Sequence, residues 1–347
     1  MNPLNLNPSP PERATPRRMG APAPLDSLIV QGRIPLVAIV GPTASGKTAL
    51  AVALAEQLPA ALGLSGAEIV SADSRQIYRL MDIATAKPTA EERARVPHHL
   101  LDVVWPDESY TLAEYQRDAQ AAVAGIWARG RLPLLVGGTG LYVRAVVDGL
   151  AIPEVAPQPA LRAELEAQAA TRGLDALVER LQALDPVTAA RIDRANPRRV
   201  IRALEVCIVS GRPFSEQQGS RPTPYRTVML GLNMARDALY ARADARIAAM
   251  LREGVVGETE ALVARGYAWS LPSMSSLGYR EIGAYLRGEM TLADAITRFQ
   301  QATHAYIRRQ LTWFRPDARI HWLDAALAPD ALVALARQAA ESALHGR

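Results

Sequence analysis

Gly41-Pro42-Thr43-Ala44-Ser45-Gly46-Lys47-Thr48 fits the pattern G-x-x-x-x-G-K-[ST], that of a loop that cradles phosphate groups. Its glycines let successive backbone N–H groups turn inward, and the helix that should follow adds positive potential. Lys47 then reaches the outer phosphates, and the Thr48 hydroxyl is placed to hold Mg²⁺. The motif leaves the phosphate compound open: ATP or another nucleoside triphosphate, a phosphoryl donor, or a diphosphate leaving group. A second cluster, Asp73-Ser74-Arg75-Gln76, closes the apolar run Glu68-Ile69-Val70-Ser71. Asp73 there can serve as a base or a magnesium-binding group, or as a helix N-cap, a role Asp and Ser often fill. A third cluster, Gly137-Gly138-Thr139-Gly140, permits close approach of a ligand to the backbone, and a tight turn explains it equally well.

Other reactive side chains read as structural. His98 and His99 are adjacent and point different ways, with the next histidine, His304, far along the chain, which argues packing rather than metal binding. Cys207 sits in an apolar helical run and reads as a small buried hydrophobe. Trp313 and Phe314 could stack on a base, but large aromatics on a helix are more often core.

The elements that must position these residues alternate. Leu36-Val37-Ala38-Ile39-Val40 is a short apolar run ending in glycine, as a buried parallel strand does. Helix is expected from Ala49 to Leu58, strand from Glu68 to Ser71, helix from Thr111 to Ala128 and strand from Leu132 to Val136. This is the pattern of an α/β domain whose ligands sit beyond the carboxyl ends of parallel strands. Past Pro153 a proline-rich hinge leads into Ala/Leu/Glu/Arg helices; the run from Thr227 to Leu232 returns the chain to the sheet, and helical patterns follow through Trp313.

The chain has 347 residues, a net charge of +4 and 49% hydrophobic residues, enough for about two domains or one domain with an insertion. One cysteine allows no internal disulfide, and the stretch from Pro133 to Leu150 is broken by Arg144 and Asp148, so no membrane span is expected. The first 34 residues hold seven prolines without an apolar core, a tail expected to be disordered rather than a secretory signal. The simplest address is the cytoplasm. Charge is uneven: residues 191–226 hold eight arginines and three acids, and residues 298–319 five arginines and one acid. Two such segments beside a phosphate site favour a nucleic-acid partner over plain solvated helix faces.

With these residues in view, the chain resembles bacterial tRNA dimethylallyltransferases. The resemblance rests on Gly41 to Thr48, Asp73 to Tyr78, Met81 to Pro88, Pro97 to Asp102, Gly137 to Tyr142, Arg202 to Glu205, Gly278 to Arg280 and Arg309 to Arg315, in order from about residue 36 to 325. It implies an α/β fold, a P-loop NTPase-like parallel sheet flanked by helices with a mostly helical insertion domain. It also implies transfer of a dimethylallyl group from dimethylallyl diphosphate to N6 of the adenine just 3′ of the anticodon, with release of diphosphate and a need for Mg²⁺. Two departures stand out: Ala84 where the family usually has glycine, and His304 where it usually has a basic residue.

Carried over by position, Gly41, Pro42, Thr43, Ala44, Ser45, Gly46, Lys47 and Thr48 would hold the donor's diphosphate, with Thr48 on the metal. Asp73, Ser74, Arg75 and Gln76 would recognise the adenine, Asp73 acting as the base; Lys47 and Thr139 complete the catalytic set. Thr139 and Arg162, then Arg198, Arg199, Val200, Ile201 and Arg202, then Ser275, Ser276, Leu277, Gly278, Tyr279 and Arg280 would contact tRNA, through its anticodon stem-loop. In the Arg198 stretch relatives often begin with glutamine. The expected division is a tail over 1–34, a catalytic core over 35–150 and 226–325, a tRNA-binding insertion over 151–225 and a helical C-terminal tail over 326–347, working as a monomer without a membrane. Three alternatives stay open: a P-loop kinase or NTPase, an enzyme prenylating free adenine nucleotides, and a non-catalytic RNA-binding protein.

Overall fold

The structure is a computed structural model that describes residues 34–345; apart from Ile34, the expected tail lies outside the described residues. Six strands form one parallel sheet in the order β3-β2-β4-β1-β7-β8: β1 (Ile34–Val40), β2 (Ala67–Ser71), β3 (His98–His99), β4 (Leu132–Gly137), β7 (Tyr225–Asn233) and β8 (Ile320–Asp324). β1 lies between β4 and β7, and its apolar run is buried because helices cover both faces, as a parallel sheet requires. One face is covered by α1 (Lys47–Ala61), whose Leu50, Leu54 and Leu58 pack with Val37 and Ile39. The other is covered by α3 (Leu112–Ala128) and α4 (Gly140–Val147), where Tyr115 stacks on Tyr142 at 3.7 Å between centroids. Leu54 and Leu58 are fully buried, each contributing about 2 kcal/mol of transfer free energy.

The loop from β2 crosses the carboxyl edge of the sheet and includes α2 (Ala90–Arg95). Lys87, almost wholly buried, is held there by Asp82 and Asp102, both at 2.6 Å, and by the Tyr78 carbonyl. Over the same edge lie α9 (Arg236–Glu253), α10 (Val255–Ala264), α11 (Tyr279–Leu286) and the long α12 (Leu292–Phe314). β8 was not anticipated from the sequence; Met229↔Ile320 to Asn233↔Asp324 give its register on β7. The C-terminal α13 (Pro329–His345) lays Val333, Ala336, Ala340 and Leu344 into the α1 side of the core.

The chain leaves and re-enters this body through a small antiparallel ladder, β5 (Leu150–Ala151) with β6 (Gly219–Ser220). Between them α5 (Pro159–Arg172), α6 (Leu174–Leu184), α7 (Pro186–Arg191) and α8 (Pro197–Ser210) share a separate core around Leu165, Leu177, Leu181, Val200 and Leu204. Asp185 caps α7 by accepting from the Thr188 N–H at 2.9 Å and reaches Ser215 as well. Burial pushes its carboxyl up, but these hydrogen bonds outweigh it and hold the pKa at about 2.

Candidate active site

The phosphate loop joins β1 to α1 beyond the carboxyl edge of the sheet. Ala44 (φ 63) and Gly46 (φ 93) take left-handed backbone conformations there, a cost for alanine of about 1 kcal/mol that persists only where the surrounding structure fixes the turn. Gly46 is the N-cap of α1, so the helix N-terminus opens onto the loop. The Lys47 ammonium donates to the Pro42 carbonyl at 2.7 Å. Burial lowers its pKa to about 8, against the Asp73 charge that raises it, while Arg246 lowers it further.

Asp73 lies at the end of β2, across from Lys47. Its carboxylate accepts from the Arg75 N–H at 2.9 Å, fixing the turn; this is a local Asx turn rather than a helix cap. The Ser74 N–H donates to Thr139 Oγ1 at 3.1 Å, and Thr139 N–H donates to the Ala72 carbonyl at 3.1 Å. Gln76 Nε2 donates to the Ala86 carbonyl at 3.1 Å and its Oε1 accepts from Ser71 Oγ at 3.1 Å. Tyr306 of α12 reaches Thr139, and burial with the Asp73 charge pushes its phenol up to about 12, so it stays a hydrogen-bonding neutral group.

Loop and acidic segment face each other across a cleft of about 1080 Å³. Its charged walls carry Lys47, Arg75, Arg198, Arg242, Arg246, Arg280 and Arg309 against Asp73 and Glu92, an excess of cations suited to a polyanion. Arg242 and Arg246, one turn apart on α9, form the wall opposite the loop; a Cβ on Gly46 would come within 3.5 Å of Arg242. The sequence reading missed both, and their signal is faint: two arginines at i, i+4 on the face that also buries Leu239, Ala243, Ile247 and Met250. An apolar end of the cleft is lined by Ala84, Ile247, Met250, Leu277 and Phe299.

The sequence-predicted residues fall into two groups. Thr43, Ala44, Gly46, Lys47, Thr48, Asp73, Ser74, Arg75, Gln76, Thr139, Arg198, Ser275, Ser276, Leu277 and Arg280 line the cleft; Gly41, Pro42 and Ser45 form the loop behind it. Elsewhere, Val200 and Ile201 point their side chains into the insertion core, and Tyr279 is buried with its hydroxyl on Glu258. Gly278 packs tightly, a Cβ there falling 2.8 Å from Ala84. Arg162 and Arg202 both bind the fully buried Glu205, at 2.7 and 2.6 Å, while Arg198 and Arg199 of the same stretch are exposed.

His304 stacks on Tyr240 at 4.0 Å and bonds Asp244 at 2.9 Å. His98 and His99 take separate partners, the Val96 carbonyl and Glu68. Among the described residues no group of three or more His, Cys, Asp or Glu side chains could hold a metal ion. Phe314 is core and Trp313, 40% exposed, lines the cleft, so the two aromatics part company. Cys207 is buried, and burial pushes its thiol up.

Sheet, loop and cleft together define a P-loop NTPase-like fold in which the glycine-rich loop and the Asp73 segment line one cleft. The model of the IPP transferase family matches residues 76–317. The tRNA dimethylallyltransferase of Roseiflexus sp. (strain RS-1) is 56% identical over 282 residues, 81% of this chain and 90% of its own. That of Chloroflexus aggregans is 56% identical over 280 residues, 81% and 92% of the two chains. Among solved structures, the full-length tRNA isopentenylpyrophosphate transferase of Bacillus halodurans shares 41% identity at a TM-score of 0.66, covering 90% of this chain and 98% of its own. A eukaryotic dimethylallyltransferase described as acting on tRNA shares 27% at a TM-score of 0.71, over 84% and 74%. The chain belongs to the IPP transferase family, that of the tRNA dimethylallyltransferases.

Proposed function

We propose that the chain transfers the dimethylallyl group of dimethylallyl diphosphate to N6 of the adenine 3′-adjacent to the anticodon in tRNA and releases diphosphate. One observation carries the reading: a single cleft joins a phosphate loop, a facing pair of arginines and a carboxylate at a strand end. The amides from Thr43 to Thr48, Lys47, Arg242 and Arg246 bind the diphosphate and stabilise the charge it gains as the allylic C–O bond breaks. The Thr48 hydroxyl, beside Lys47 on the cleft wall, is a hard oxygen donor of the kind Mg²⁺ takes together with phosphate oxygens, so the residues fit that ion. When bound it supplies further neutralisation of the leaving group.

N6 is a poor nucleophile because its lone pair is delocalised into the ring. Asp73 takes its proton as the N–C bond forms, and Ser74, Arg75, Gln76 and Thr139 hold the base that has left its stack. The apolar end of the cleft takes the prenyl tail. Arg198, Arg199 and Arg280 contact the RNA backbone, and the unit from residue 151 to 225 serves as the tRNA-binding insertion on a monomer working in the cytoplasm. Among the described residues no helix is long and apolar enough to cross a membrane. Release of diphosphate from dimethylallyl diphosphate tests the reading: it should require tRNA, and ATP turnover without RNA in its place would contradict it.

A further inference from the structure

Gln310 of α12 is almost wholly buried and uses both ends of its amide. Its Oε1 accepts from the Thr43 N–H at 2.8 Å, and its Nε2 donates to the Gly138 carbonyl at 3.0 Å. Thr43 belongs to the phosphate loop and Gly138 to the turn after β4; they are otherwise joined through the sheet. Gly138 adjoins Thr139, which accepts from the Ser74 N–H next to Asp73. A run of hydrogen bonds therefore connects the loop that holds the donor to the carboxylate that serves the acceptor. Gly138 has no room for more: a Cβ there would lie 2.1 Å from Gln310 Nε2 and 3.2 Å from the Gly41 carbonyl.

We propose that Gln310 is a positioning residue that sets the span between the phosphate loop and the Asp73 segment. The inference rests on the prenyl-transfer reading. Reaction between two bound substrates demands reacting atoms held at near-attack distance, and a misplacement of about 1 Å can cost about 10²-fold in rate. The Gln310 amide offers one acceptor to the Thr43 N–H and one donor to the Gly138 carbonyl. A thioether offers neither, and an ionised carboxylate offers acceptors to both, the wrong group for a carbonyl.

The test uses the full-length protein and compares Gln310→Met, Gln310→Glu and Gly138→Ala with wild type in dimethylallyl transfer to tRNA. Gln310→Met should lower kcat by about 10²-fold with KM for donor and tRNA changed less than about threefold, kcat being counted per folded molecule from the stoichiometry of diphosphate binding, because loss of folded protein alone lowers apparent kcat without moving KM. Gln310→Glu, measured as its ratio to wild type at each pH so that pH effects common to both proteins cancel, should recover as pH falls, because a protonated carboxyl again offers one donor and one acceptor. Gly138→Ala should reproduce the loss with Gln310 in place, by pushing its amide aside. Near-normal kcat in Gln310→Met, or a Gln310→Glu ratio flat across pH, overturns the positioning role. Failure of wild type itself to transfer the group would instead remove the reading on which it rests.

Discussion

In the proposed reaction Lys47 neutralises the leaving diphosphate and Asp73 takes the N6 proton. Lys47 is partly withdrawn from water and held near a pKa of about 8, so without an anion it loses its proton as pH rises through 8, well below a free lysine. On the proposed function, a bound diphosphate restores the charge. Diphosphate affinity, measured by titration calorimetry, should be level below pH 8 and weaken above it, after division by the Lys47→Met values to remove the titration of diphosphate itself. An identical pH dependence in both proteins would place Lys47 outside the anion site. Lys47→Ala should slow the chemical step strongly while sparing tRNA affinity, since the charge it neutralises develops mainly in the transition state. Asp73→Asn keeps shape but cannot take a proton. It should lower kcat by about 10²–10⁴-fold with tRNA and donor binding nearly unchanged, and loss through tRNA affinity alone would make Asp73 a binding residue.

At the scale of elements, the insertion hangs on Glu205. Burial pushes this carboxyl up, yet Arg162, the Gln158 N–H and Arg202 together hold it at about 2. A carboxyl depressed in the folded state stabilises above its unfolded pKa near 4.3 and loses that contribution as pH falls toward 2. Glu205→Ala leaves two arginines unpaired; because both are about one-third exposed, the expected cost is about 2 kcal/mol. Hydrogen exchange should show the loss concentrated in α5 to α8, with diphosphate binding retained; exchange rising equally in β1 and α1 would mean that the insertion has no separate cooperativity.

Four sheet strands and the loop-to-helix turn were legible because buried parallel strands are continuous apolar runs and the phosphate loop is local in sequence. β8 was not: Ile320-His321-Trp322-Leu323-Asp324 carries polar residues on an edge that only one neighbour covers. Arg242, Arg246 and Gln310 were equally hidden, since long helices bring them to a loop roughly two hundred residues or more away, and no local pattern records that packing.

For the whole molecule, the charge map sets a salt dependence. Arg198, Arg242, Arg246, Arg280 and Arg309 line the cleft and Arg199 is exposed beside Arg198, and each phosphate contact releases counterions on binding. Replacing Arg198 and Arg199 by alanine should weaken tRNA binding and reduce the slope of log affinity against log salt by about 1–2; an unchanged slope would return them to a solvated helix face. The central claim is that one cleft joins a prenyl donor to an adenine of tRNA. Purified protein incubated with dimethylallyl diphosphate, Mg²⁺ and tRNA, followed by nucleoside mass spectrometry and mapping of the modified position, tests it most directly. The proposed function predicts one dimethylallyl group on N6 of the adenine 3′-adjacent to the anticodon, nearly absent with Asp73→Asn. Unmodified adenosine at that position, with the donor intact after incubation, would contradict it.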